Sequence, residues 1–145
     1  MSTQPTTANA PGKPAPKPTP ETQPFWEGCA AGELRLQHCS SCEHVQYPPR
    51  KLCSSCFSQD VEWRVASGKG IVRSWSTVTL PGAPGFAEEV PFISVLVQLQ
   101  EGPTMLSVIR ECEADQMDFG MSVEVIFEQR TESIAVPYFK PATNG

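Results

Sequence analysis

Four cysteines in two pairs are the residues of this chain whose spacing could build a chemical site. Cys39-Ser-Ser-Cys42 and Cys53-Ser-Ser-Cys56 are C-x-x-C turns separated by ten residues. Each such turn brings two thiolates to the bite of a tetrahedral ion, and two turns supply four soft ligands. Zinc is the ion this set favours; iron in a rubredoxin-like site and four free thiols are the alternatives. Four thiolates would close the coordination sphere and leave no position for water or substrate. The zinc is therefore read as a structural staple, contributing on the order of 10 kcal/mol to folding.

The remaining candidates are weaker. Cys29 and Cys112 lie outside the pairs. A nucleophilic thiol needs an activating base, normally histidine, and both histidines, His38 and His44, flank the first C-x-x-C turn, where sulfur or solvent would occupy them. Buried or inert thiols explain the two cysteines better. Glu88, Glu89, Glu111, Glu113 and Asp115 read as solvated loop charge, with no acid–base pair among them. No glycine-rich phosphate loop and no Ser-His-Asp set can be assembled, so the site has no catalytic residues. Arg50 and Lys51, the adjacent basic pair that follows Pro48-Pro49, could contact a phosphate because a stiff lead would hold both charges in one place. A solvated loop is the plainer alternative.

Three regions position these residues. Residues 1–20 hold six of the fifteen prolines and no large apolar side chain after Met1, so they read as an extended, Pro-rich tail. A disordered leader is the plainer reading of it, and an arm lying along a partner subunit is the sharper alternative. Residues 21–66 read as one short helix and a zinc ribbon. Pro24 suits a first helical turn, Phe25, Trp26, Cys29 and Ala30 recur at helical spacing, and Gly32 suits the stop. So short a helix cannot bury a Phe-Trp pair, which must pack on the rest of the protein or form a docking surface. Short strands around Leu34–Leu36, Val45–Tyr47 and Val61–Val65 flank the cysteine turns.

Residues 67–145 read as five short strands: Ile71–Leu80, a strand around Ile93–Leu99, Met105–Ile109, Met121–Phe127 and Ile134–Phe139. The second alternates most cleanly, with Ile93, Val95, Val97 and Leu99 on one face. Five strands in about 75 residues fit a small OB-fold barrel, with a small sandwich as the alternative. The fold class is mainly β.

Charge and composition exclude several functions. The 145 residues carry a net charge of −5, and residues 67–145 hold five basic residues against ten acidic ones, the wrong sign for a nucleic-acid groove. No run of eighteen apolar residues suggests a membrane span, and the N-terminus lacks a charged-then-apolar export layout. Six cysteines without an export signal point to metal or reduced thiols, hence the cytosol.

One further pattern is specific. Pro24-Phe25-Trp26-Glu27-Gly28, Gly32-Glu33-Leu34, the two C-x-x-C pairs with Pro48-Pro49-Arg50 between them, Gly68-Lys69-Gly70, Val90-Pro91-Phe92, Glu101-Gly102 and Gly120-Met121-Ser122-Val123 occur in order. Over residues 21–141 the chain resembles the zinc-ribbon/OB-fold family of acyl-CoA-associated proteins. That resemblance implies a helix, a rubredoxin-like ribbon and an OB fold. It also implies a hetero-oligomeric partner, a thiolase, thiolase-like aldolase or acyl-CoA hydratase, and CoA or acyl-CoA bound at the complex. A stand-alone member with a Pro-rich leader is similar to the small subunit of a two-component thiolase, with the benzylsuccinate-pathway type among the candidates. Arg50 and Lys51 are then the candidate contacts for CoA phosphates. A nucleic-acid-binding zinc-ribbon/OB module is the reading from a different class.

Overall fold

The computed structural model describes residues 14–82 and 85–142. Of the Pro-rich tail, residues 14–20 lack helix and strand; the rest of that expectation lies outside the described residues. One helix, α1 (Gln23–Ala30), precedes a three-stranded antiparallel sheet of β1 (Arg35–Cys39), β2 (Val45–Gln46) and β3 (Val61–Val65), in the order β2-β1-β3. Five more strands follow: β4 (Lys69–Val78), β5 (Phe92–Leu99), β6 (Thr104–Ile109), β7 (Ser122–Gln129) and β8 (Ala135–Pro141). They close into a barrel in the order β4-β5-β6-β8-β7. This is the OB-fold arrangement expected from the strand pattern, and because β4 pairs with both β5 and β7 the sandwich alternative falls away. No helix of the described residues is long and apolar enough to cross a membrane.

The alternation in β5 translates directly into burial. Ile93, Val95, Val97 and Leu99 face the core, while Ser94, Leu96 and Gln98 lie on the half-buried outer side. The start of β4 differs from the sequence expectation, which began that strand at Ile71. Lys69 and Gly70 already pair with Glu124 and Val123 of β7. Glycine weakens a strand, so pattern alone reads it as a turn. Here it is required, because a β-carbon on Gly70 would stand 2.6 Å from the Gln98 carbonyl oxygen of β5. The single parallel contact, Ile109 on β6 with Phe139 on β8, closes the barrel, and Ser107 Oγ donates to the Pro137 carbonyl beside it.

Helix α1 packs against β1 and β8, where ribbon and barrel meet. Pro24 occupies its first turn, and Gly32 takes φ +82° just beyond its end, a conformation that suits glycine. Phe25 and Cys29, four residues apart, are both buried. The docking surface expected at Phe25 and Trp26 is thus corrected. Phe25 is 2% exposed and its ring lies 5.6 Å from that of Tyr47, while Trp26 is half-buried against the same core. The cover that an eight-residue helix lacks comes from the two sheets on either side of it. Phe25, Cys29, Leu34 and Leu36 join Val72, Val95, Val97 and Phe139 in one continuous core.

Candidate metal centre

The ribbon strands bring all four predicted cysteines together. Their sulfurs lie within 4.8 Å of one another, with Cys39–Cys56 at 3.7 Å and Cys42–Cys53 at 3.6 Å. A tetrahedron with arms of about 2.3 Å has edges of about 3.8 Å, so the thiols stand at the separation a zinc ion requires. Cys39 and Cys53 are buried and Cys42 and Cys56 exposed, so an ion here would sit at the ribbon surface. The amides of Ser55 and Cys56 donate to Cys53 Sγ at 3.3 and 3.4 Å. The Cys42 backbone amide, opposed by burial and helped by that of Ser41, draws the Cys39 thiol down, whereas Cys42 and Cys56 in the same cluster are raised. Cys39, Cys42, Cys53 and Cys56 therefore fit structural zinc, and the ion would hold β1 and the loop before β3 together.

The two cysteine turns share one hydrogen-bond plan. In the first, the Cys39 amide donates to the His44 carbonyl and the Glu43 amide to the Cys39 carbonyl, both at 2.8 Å. In the second, Cys53 and Ser58 make the first of these bonds and Phe57 and Cys53 the other, both at 2.9 Å. The plan forces the residue after the second cysteine into the left-handed region, with Glu43 at φ +67° and Phe57 at φ +64°.

Arg50 and Lys51 are exposed in the loop between the turns. Neither forms an ion pair among the described residues. The loop is fixed by a device that sequence reasoning missed. Gln37 on β1 and Gln46 on β2 stand opposite each other and are both buried. The Gln37 side chain accepts from the Arg50 N–H at 2.8 Å and donates to the Arg50 carbonyl at 2.7 Å. Gln46 donates to Gln37 Oε1 and to the Leu52 carbonyl, and accepts from the Ser54 N–H. Two buried amides thus hold the loop from below with their donors and acceptors paired. Glutamine in a strand reads as an outward position, so only the pairing of two such residues across β1 and β2 could have signalled it.

The other candidates separate. His44 Nε2 lies 3.2 Å from Ser54 Oγ rather than on a sulfur. His38 Nδ1 is buried without a hydrogen-bond partner among the described residues, as is Glu101 Oε1. Both residues line a cleft of about 270 Å³ between ribbon and barrel, with Leu36, Val45, Arg64, Val65 and Ala66. Burial in the core, partly offset by the Arg35 charge, pushes the Cys29 thiol up to about 12. Burial and then the neighbouring Glu113 and Asp115 raise that of Cys112. Both shifts run against the thiolate that a nucleophile needs. Glu89, expected as solvated charge, instead pairs with Arg110 at 3.0 Å, and Arg110 also holds Glu128 at 2.7 Å and covers the Tyr138 ring.

Comparison with known proteins agrees with this architecture. Residues 26–62 match the family model of the ChsH2 rubredoxin-like zinc ribbon domain, and residues 63–128 that of the ChsH2 C-terminal OB-fold domain. A DUF35 domain-containing scaffold protein of Methanothermobacter thermautotrophicus is 31% identical over 112 residues, which cover 72% of this chain and 84% of that protein. A probable enoyl-CoA hydratase alpha subunit of Thermomonospora curvata is 30% identical over 119 residues, 81% of this chain. The match spans only 37% of that hydratase subunit's length. Among solved structures, the Ltp2-ChsH2(DUF35) aldolase superposes with a TM-score of 0.79 at 27% identity, covering 88% of this chain and 99% of the matched one. Ribbon, barrel and cysteine site together make this chain a member of the DUF35 family, with a ChsH2-type zinc ribbon followed by a ChsH2-type OB fold.

Proposed function

We propose that this chain is a non-catalytic subunit of a heteromeric acyl-CoA enzyme of the cytosol, stapled by zinc and helping to seat CoA or acyl-CoA and to shape the substrate path. One observation carries the reading. Among the described residues, four of the six cysteines form a closed four-thiolate site, and burial raises the other two thiols, Cys29 and Cys112, away from the thiolate that attack on a thioester needs. The bond chemistry then belongs to another chain. The names of its relatives, a hydratase alpha subunit and a ChsH2(DUF35) aldolase, support an acyl-CoA enzyme as that partner. A thiolase-type subunit cleaving a 3-oxoacyl-CoA with CoA, a thiolase-like aldolase and a hydratase are the partner chemistries this reading admits.

Within that complex, Arg50 and Lys51 face the CoA phosphates. Their support is the loop itself, whose backbone at Arg50 is fixed on both sides by Gln37. Anchored cations lose little freedom on meeting a phosphate. The test is CoA binding by the chain co-expressed and purified with an acyl-CoA enzyme subunit that binds it. Changing Arg50 and Lys51 together to Ala should cost about 1–3 kcal/mol of CoA affinity with assembly intact. Unchanged affinity would leave the loop merely solvated. Tight binding of single-stranded nucleic acid by the chain alone at physiological salt would overturn the reading as a whole.

A further inference from the structure

Strand β3 is a free edge of the ribbon sheet among the described residues. It pairs with β1 on one side, and no strand lies on the other. At the two ends of that pairing the Ser40 N–H donates to the Asp60 carbonyl at 2.9 Å and the Ala66 N–H to the Leu34 carbonyl at 2.7 Å. An antiparallel ladder alternates, so Glu62 and Arg64 turn their main-chain groups toward β1 while Val61, Trp63 and Val65 turn theirs away. The Val61 N–H bends back to the Gln59 carbonyl. The Val61 carbonyl and both main-chain groups of Trp63 and Val65 have no hydrogen-bond partner among the described residues. Val65 is also 61% exposed and Trp63 half-buried. Such an edge invites another strand, and natural sequences blunt it with charge, above all lysine. The charges here are Glu62 and Arg64, opposite in sign and paired with each other. Centred on Trp63, the run Val61-Glu62-Trp63-Arg64-Val65 is self-complementary. A second copy turned about a two-fold axis there sets Val61 against Val65, Glu62 against Arg64 and Trp63 against Trp63.

We propose that two copies of this chain pair antiparallel along β3 about that axis, joining their ribbons into one continuous sheet in the order β2-β1-β3-β3-β1-β2. The inference is independent of the acyl-CoA subunit reading. In this register the outward N–H of Trp63 meets the Trp63 carbonyl of the second copy, and the N–H of Val65 meets the Val61 carbonyl, each twice by symmetry. Glu62 and Arg64 fall at the non-hydrogen-bonded positions, where opposed side chains come closest. The ion pair that closes on itself in one chain becomes a ring of four alternating charges across the axis. Asp60, next along, meets Ala66, so no like charges stand opposite. On the other face the tryptophans and valines cover one another. A slip of two residues would set Glu62 against Glu62 or Arg64 against Arg64, so charge fixes the register. Arg50 and Lys51 take no part, because their loop is held from β1 and β2, on the far side of the sheet. Self-complementarity is what a second copy requires of an edge; a strand from a different chain does not require it.

The test is the mass of the full chain in solution, by sedimentation equilibrium from about 1 μM to about 1 mM, since an interface this small gives a weak dimer. The native chain should pass from one copy to two across that range, with no larger species. Arg64→Glu sets carboxylates opposite each other and Glu62→Arg sets guanidinium groups opposite each other. Each should weaken self-association at least about tenfold. Mixed one to one, these two variants should associate with each other as tightly as native chains do, because each then meets its complement. The double variant Glu62→Arg/Arg64→Glu should dimerise like the native chain for the same reason. Both side chains are exposed, so circular dichroism and metal content should stay native throughout. A native chain that stays single at about 1 mM would overturn the proposal. Single variants that dimerise like the native chain would overturn it too, and so would a mixture of the two that fails to associate. Single variants that instead lose binding to an acyl-CoA enzyme subunit, while the native chain alone stays single, would assign the edge to that enzyme and overturn the proposal as well.

Discussion

Replacing Cys42 with serine should strip the chain of its metal and unfold the ribbon. Pure native protein should carry close to one zinc per chain and little iron; the variant should carry almost none. A serine hydroxyl does not ionise at neutral pH, so the site keeps three thiolates at the corners of a tetrahedron whose fourth is gone. The effect should be large for two reasons. Metal binding to such a site contributes on the order of 10 kcal/mol, comparable to the whole stability of a small domain. The ribbon is also not independent of the barrel, because Leu34 and Leu36 of the ribbon lie in the same core as Val72 and Phe139. Loss of the staple should therefore lower the melting temperature of the entire chain and flatten its near-UV circular dichroism. A metal-free variant with an unchanged near-UV spectrum would contradict the account.

The second large effect is expected from Phe25→Ala. A ring that is 2% exposed between two sheets leaves a cavity when removed, at a cost of about 3–5 kcal/mol. Its edge-to-face contact with Trp26, at 4.9 Å, should be lost too, so the tryptophan environment should change with the stability. Chemical denaturation of the isolated chain measures both. A cost below about 1 kcal/mol would mean that α1 is not part of this core and that its aromatic pair serves a partner after all.

These two residues show what the sequence discloses and what it hides. The cysteine spacing discloses the metal site because four ligands of one type at fixed separation admit few other geometries. The five barrel strands are legible because alternation, as in Ile93–Leu99, follows from a pleat with one dry face. The fate of Phe25 is not legible, since local pattern says that a short helix cannot cover the ring but not that two sheets lie on either side of it. Gln37 and Gln46 escape for the same reason: besides each other, their partners are backbone groups six to thirteen residues away, brought near only by the closed sheet and loop. Phe57 is hidden in plain view. Next to Cys56 it carries no signal of its own in the sequence, and only the structure shows it 73% exposed at φ +64°.

The central claim is that this chain contributes no reacting group yet is needed by the chain that does. It is tested most directly by titrating purified, zinc-loaded protein into an acyl-CoA enzyme subunit that binds it while following acyl-CoA turnover. The account predicts negligible turnover by this chain alone, and a rate for the enzyme that rises on addition and saturates at a fixed ratio of the two chains. An enzyme that turns over at its full rate without this chain, with no rise at any ratio, would contradict it.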